Sequence, residues 1–176
     1  MKTQAARLIT MLAVMTGLAG CALPQQLHSG QSEAEVTQRF GTPTGRHTLD
    51  GGRVRLEFAT GPMGRDTWMV DLDAAGRVAA WHNALEEWRL HALQQRLTMP
   101  PKLDRAELLR TLGRPGEHSS GGWLAGGELW TWRYPTNDCL LFQATLAADG
   151  TVREAGFNID PRCEAGDRQA RLHPRR

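Results

Sequence analysis

The sequence predicts an α+β fold of two tandem units, each a helix followed by a three-stranded antiparallel sheet. Three observations carry this. The segment Ser32 to Pro43 recurs without gaps at Asp104 to Pro115, pairing Ser32 with Asp104, Glu35 with Glu107, Val36 with Leu108, Phe40 with Leu112, Gly41 with Gly113 and Pro43 with Pro115. Each copy is followed by alternating strand patterns, and each then reaches a hairpin turn closed by glycine, Gly76 or Gly150.

The elements follow in order. Lys2 and Arg7 precede an apolar run from Leu8 to Leu18, and the small residues Ala19 and Gly20 lead into Cys21. That is the layout of a signal peptide over 1–20, and the apolar run is about half of the ~20 residues a membrane-crossing helix needs. Residues 21–29 form a short tether. The first unit, 30–82, opens with a helix capped by Ser32, with Glu35 at capping-box spacing. Val36 and Phe40 share one face, and Gly41 with Pro43 ends the helix. Strands follow at 53–58, 67–72 and 77–81, with Leu56 and Phe58 on the core face.

The second unit, 83–163, begins with a linking helix in which Leu85, Trp88, Leu90, His91, Leu93 and Leu97 recur roughly at helical spacing until Pro100 and Pro101 stop it. A helix capped by Asp104 then precedes strands at 129–134, 140–146 and 151–157. Trp130, Trp132 and Tyr134 fall on the strand face that corresponds to the one carrying Leu56 and Phe58 and are read as core, although such a stripe can also bind a peptide or glycan. Arg168, Arg171, Arg175 and Arg176 mark a basic tail over 164–176 that reads as disordered.

Leu18-Ala19-Gly20-Cys21 resembles the lipobox of bacterial lipoproteins. The resemblance implies a diacylglycerol thioether on Cys21, cleavage before it and acylation of the new amine, and Ala22 after it implies the outer membrane, facing the periplasm of a Gram-negative cell. Gly30-Gln31-Ser32, Glu35-Val36, Phe40-Gly41-Thr42-Pro43 and the Asp73-Ala-Ala-Gly76-Arg77-Val78 turn together resemble the SmpA/OmlA (BamE) domain of small outer-membrane lipoproteins. The tandem arrangement is similar to the fold of β-lactamase inhibitor proteins. Implied partners are the membrane, through Cys21, and envelope or outer-membrane assembly proteins. The pattern covers about 28–81 and, more weakly, 83–160.

Composition limits the alternatives. Once residues 1–20 are removed the chain is close to neutral, which disfavours a nucleic-acid partner. Cys139 and Cys163 then remain as an even pair in an oxidising compartment and are expected to form a disulfide; two free thiols or a fragment of a metal site are the alternatives.

Chemistry is sparse, so no enzyme, cofactor, metal or small-molecule substrate is expected. Glu87 with His91, and His82 with Glu86, have helix-face spacing but lack the further ligands a zinc site needs. Ser119-Ser120-Gly121-Gly122 has no nucleophile elbow and no Walker lysine and reads as a loop. Asp66, Asp71 and Asp73 lack EF-hand spacing. Trp123, in the glycine-rich segment 121–127, is the candidate partner contact. The expected function is non-catalytic protein binding or scaffolding in the envelope, in outer-membrane protein assembly or envelope integrity. The alternatives are capture of a periplasmic enzyme, in the manner of an inhibitor, and a lipoprotein enzyme with a site assembled from scattered Asp, Glu and His.

Overall fold

The computed structural model describes residues 26–60, 66–120 and 126–163. The signal peptide, Cys21, Trp123 and the basic tail lie outside them. The architecture is α+β, with two four-stranded antiparallel sheets in place of the three-stranded ones expected. In the first sheet the order is β1 (Gly45–Thr48), β2 (Val54–Thr60), β3 (Asp66–Leu72), β4 (Val78–Asn83), preceded by α1 (Glu33–Phe40). After α2 (Glu87–Arg96) and α3 (Arg105–Leu112) the second sheet runs β5 (Glu117–Ser120), β6 (Glu128–Trp132), β7 (Leu140–Leu146), β8 (Val152–Ile159). The added strands, β1 and β5, are four-residue edges with mixed or wholly exposed side chains, so they carry no apolar alternation to read. Ser119 and Ser120, expected in a loop, lie in β5.

The two copies match down to single hydrogen bonds. Ser32 accepts from the Glu35 amide and Asp104 from the Glu107 amide, the N-cap each sequence signals. Glu33 N donates to Gly76 O and Arg105 N to Gly150 O, so each helix start is held by its own hairpin turn. Bulges fall at Asp71/Leu72 and at Thr145/Leu146. Gly41 and Gly113 end their helices at φ 84° and 75°, a region that favours glycine.

On one face of the first sheet, Leu56, Phe58, Val70 and Leu72 bury against Val36 and Leu27, with Phe40 packed alongside. Leu27, expected in the tether, is 2% exposed and belongs to this core. The second sheet buries Trp130, Trp132, Phe142, Ala144 and Leu146 against Leu90 and Leu93 of α2 and Leu108 and Leu112 of α3, with Tyr134 in the same cluster. The aromatic stripe is therefore core. Trp130 and Trp132 meet edge to face with centroids 5.9 Å apart.

The reverse face of the first sheet is also covered. Glu57, Thr67 and Met69 alternate with the core residues of β2 and β3 and so point away from α1, yet all three are buried. The end of α3 reaches this face: Arg55 donates to Arg110 O at 2.9 Å, and Arg114 N donates to Glu57 Oε1 at 3.1 Å. The layers thus run α1, first sheet, α2 with α3, second sheet. Cys139 and Cys163 form a disulfide with Cα atoms 5.9 Å apart, tying the start of β7 to the chain just after β8.

Candidate functional site

Two polar features lie where the second unit meets the reverse face of the first sheet. The first is the Glu57 carboxylate, 1% exposed. It accepts from the Thr44 hydroxyl at 3.0 Å and from Arg114 N, and lies 3.1 Å from His47 Nε2. Space for it is made on two sides. A Cβ on Gly45 would stand 2.5 Å from Glu57 Oε2, and one on Gly113 would stand 2.8 Å from Glu57 Cδ and 2.7 Å from Thr67 Cγ2. The Thr67 hydroxyl is buried beside this junction without a hydrogen-bond partner among the described residues. With its acceptors filled by groups from both units, Glu57 acts as a pin between them.

The second feature is a cleft of about 360 Å³ lined by Arg55 of β2, His82 of β4, Ala84 of the connection, Trp88, Arg89, Ala92, Leu93 and Arg96 of α2, and Glu107 and Thr111 of α3. Alternation places Arg55, Asp71, Met69 and His82 on the same reverse face. Arg55 grips Asp71 with two bonds, Nε to Oδ1 at 2.6 Å and Nη2 to Oδ2 at 2.8 Å, and its remaining Nη1 is taken by Arg110 O. Arg89 bonds Glu86 through Nε and lies 4.2 Å over the Trp88 ring. Arg96 donates through Nη1 to the carbonyls of Met99 and Pro101 and has no carboxylate partner among the described residues.

Burial is the main force on His82, followed by Arg89 and Arg55, with Asp71 and Glu86 acting the other way; together they push its pKa down to about 4. The ring is therefore neutral at pH 7. Trp88, expected to help bury the linking helix, is 61% exposed because it lies on the side of α2 opposite Leu90 and Leu93.

The other candidates fall into structural roles. Glu87 and His91 approach to 3.7 Å as an exposed pair on α2. His82 and Glu86 share no helix, since His82 lies in β4 and Glu86 precedes α2. Asp71 holds Arg55, Asp73 accepts from the amides of Ala75 and Arg77 in its turn, and Asp66 accepts from Asn83. No group of three or more His, Cys, Asp or Glu residues among the described ones is arranged to hold a metal ion. No helix among them is long and apolar enough to cross a membrane. On the far side of the second sheet Arg133 bridges Glu117 at 2.8 Å and Asp160 at 2.7 Å. Burial raises the Asp160 pKa, but the Arg133 hydrogen bond and the Arg162 amide outweigh it and hold it below the ordinary value.

The junction and the cleft have almost no sequence signal. Glu57 reads as the outward residue of an alternating strand, and only its mismatch with Thr131 in the second copy hints at another role.

No family model matches the chain, and no curated protein does. One solved structure, an extracellular protein containing a SCP domain from Bacillus anthracis, is similar at a TM-score of 0.27 and 9% identity, over 77% of this chain and 45% of that one. The chain spans less than half the length of that neighbour, and the likeness carries no argument.

Proposed function

We propose that this chain is an outer-membrane lipoprotein, anchored through Cys21 and facing the periplasm, that acts without catalysis by binding another envelope protein. The observation that carries the reading is Trp88, left 61% exposed under the Arg89 guanidinium at the edge of the cleft between the units. Exposed tryptophan and arginine at the mouth of a pocket are the residue types that dominate binding energy at protein interfaces. The lipobox-like segment before Cys21 supports the anchor, and the tandem SmpA/OmlA-like pattern supports the envelope setting. Two or more acyl chains, each CH2 contributing ~0.8 kcal/mol on burial, give stable anchorage. Inhibitor-like capture by the concave side of two linked sheets has less support, because α1 covers one face of the first sheet and the second unit covers the other.

The test is affinity purification of the lipidated chain from gently solubilised native membranes, beside Cys21→Ser and Trp88→Ala. The expected result is an envelope partner retained by the native chain and depleted by Trp88→Ala, with radiolabelled palmitate incorporated only where Cys21 is present. A partner set unchanged by Trp88→Ala removes the support this observation gives, and labelling of Cys21→Ser removes the anchor.

A further inference from the structure

We propose that the cleft between the first sheet and α2 is the binding site for an acidic, apolar-flanked peptide segment of a partner protein, with Arg96 and Arg89 receiving a carboxylate and Trp88 receiving the neighbouring apolar side chain. The proposal rests on the partner-binding reading above and names the chemistry of what is bound.

Three groups lining this cleft, all cationic or neutral, have a guanidinium or ring nitrogen without a partner among the described residues. Arg96 uses only Nη1, on two backbone carbonyls. Arg89 uses only Nε, on Glu86. The His82 ring makes no hydrogen bond with any described residue, although it lines the cleft. All three nitrogens of Arg55 are engaged, by Asp71 and Arg110, so it is held in place and serves as a fixed wall. An oxyanion is the ligand that satisfies such a set, because guanidinium forks match a carboxylate and bonds to it are roughly twice as strong as neutral ones.

The volume, about 360 Å³, takes one or two side chains and not a folded surface. Trp88 supplies an exposed apolar face beside the donors, so the carboxylate should arrive next to an apolar residue. The Glu86 carboxylate beside the cleft is already taken by Trp88 Nε1 and Arg89 Nε. Among the described residues Glu107 is the one acidic residue lining the cleft, and it opposes the ligand's charge. It therefore gives the sign test: removing its charge tightens binding, whereas removing that of Arg96 weakens it.

His82 adds a proton linkage. The charged groups acting on it are Arg89 and Arg55, against Asp71 and Glu86, and Arg96 of α2 and Glu107 of α3 line the same cleft. A carboxylate entering the cleft adds negative charge and raises the His82 pKa from about 4, so binding is coupled to proton uptake at His82.

The experiment uses the mature chain with Cys21→Ser and, as probe, an acetylated and amidated hexapeptide alternating leucine and glutamate, with its leucine and glutamine counterpart as control. Binding is followed by NMR of the Trp88 indole and His82 ring signals. The expected result is a saturable shift of both signals by the glutamate peptide alone, weakened about tenfold by Arg96→Gln and tightened about threefold by Glu107→Gln. Arg96 also holds the chain after α2, so Trp88→Ala serves as second variant; it removes an exposed side chain, keeps the melting temperature and must weaken the peptide.

Equal binding of the glutamine peptide, no shift at millimolar peptide, or indifference to both Arg96→Gln and Trp88→Ala overturns the site. Inorganic phosphate shifting the same signals more strongly than the peptide overturns the peptide as its ligand. The two readings fail separately. A membrane partner depleted by Trp88→Ala, with no peptide binding, sinks the acidic segment alone, while peptide binding with no recoverable partner sinks the partner reading.

Discussion

At the residue scale the governing choice is a buried carboxylate. Glu57 is tolerated at 1% exposure because Thr44, His47 and Arg114 N surround it, and their geometry depends on two glycines. Glu57→Leu strands those partners and should lower stability by about 3–5 kcal/mol in urea unfolding, while Glu57→Gln, which keeps the shape, should cost about 1–2 kcal/mol. Gly113→Ala drives a methyl group into Glu57 and Thr67 from a backbone at φ 75° and ψ −170°, where other residues are strained, and should cost at least ~2 kcal/mol by the same measure.

His82 sets a pH dependence of its own. Its folded pKa, about 4, lies below the ordinary 6.5, so the unfolded chain binds the proton more readily. The stability it contributes is complete above pH 6.5 and is lost as pH falls towards 4, on the order of 1–2 kcal/mol once solvent screening is allowed for. Unfolding curves at pH 7 and 5 should show this loss, and His82→Gln should abolish it. Glu35 and Glu128, held low by hydrogen bonds from Ser32 and Arg105, add a separate loss at more acidic pH.

At the scale of elements the two copies differ in how their helices begin. In α1 the Ser32 side chain accepts from the Glu35 amide and the Glu35 carboxylate accepts from the Ser32 amide at 2.7 Å, a closed capping box. Only the forward half exists in α3, where Asp104 accepts from the Glu107 amide at 2.7 Å. Leaving Glu107 out of the cap keeps its carboxylate at the cleft. Ser32→Ala and Asp104→Ala should each cost about 1 kcal/mol by denaturant midpoint, Ser32→Ala the more, because it breaks a reciprocal pair. The caps, helix stops and hairpin turns were legible in the sequence because they depend on residues within a few positions of each other. The edge strands β1 and β5 were not, since an exposed four-residue strand has no buried face to impose a period.

At the scale of the whole molecule the disulfide and the layering set the stability. The bridge spans a sequence separation of 24 and joins the ends of β7 and β8, which already pair at Leu140 and Ile159. Replacing both Cys139 and Cys163 with Ala should lower stability by up to about 3 kcal/mol, with amide exchange rising first at that end of the sheet. The sheet core beneath it should hold, since Trp132, Phe142 and Leu146 pack independently of the bridge.

The sequence by itself determined the repeat, the helix caps and stops of α1 and α3, and the apolar strand faces, because each is written in local spacing, whereas the linking helix expected from 83 begins only at Glu87, after β4 has run to Asn83. Only the tertiary structure decided that the reverse face of the first sheet is buried by the second unit, that Glu57 pins the two together, and that Trp88 stands exposed beside Arg89, Arg96 and His82. The physical reason is that alternation tells which residues share a face and says nothing of what that face meets. Glu57 and His82 are placed by contacts with segments far along the chain, and no local pattern records them.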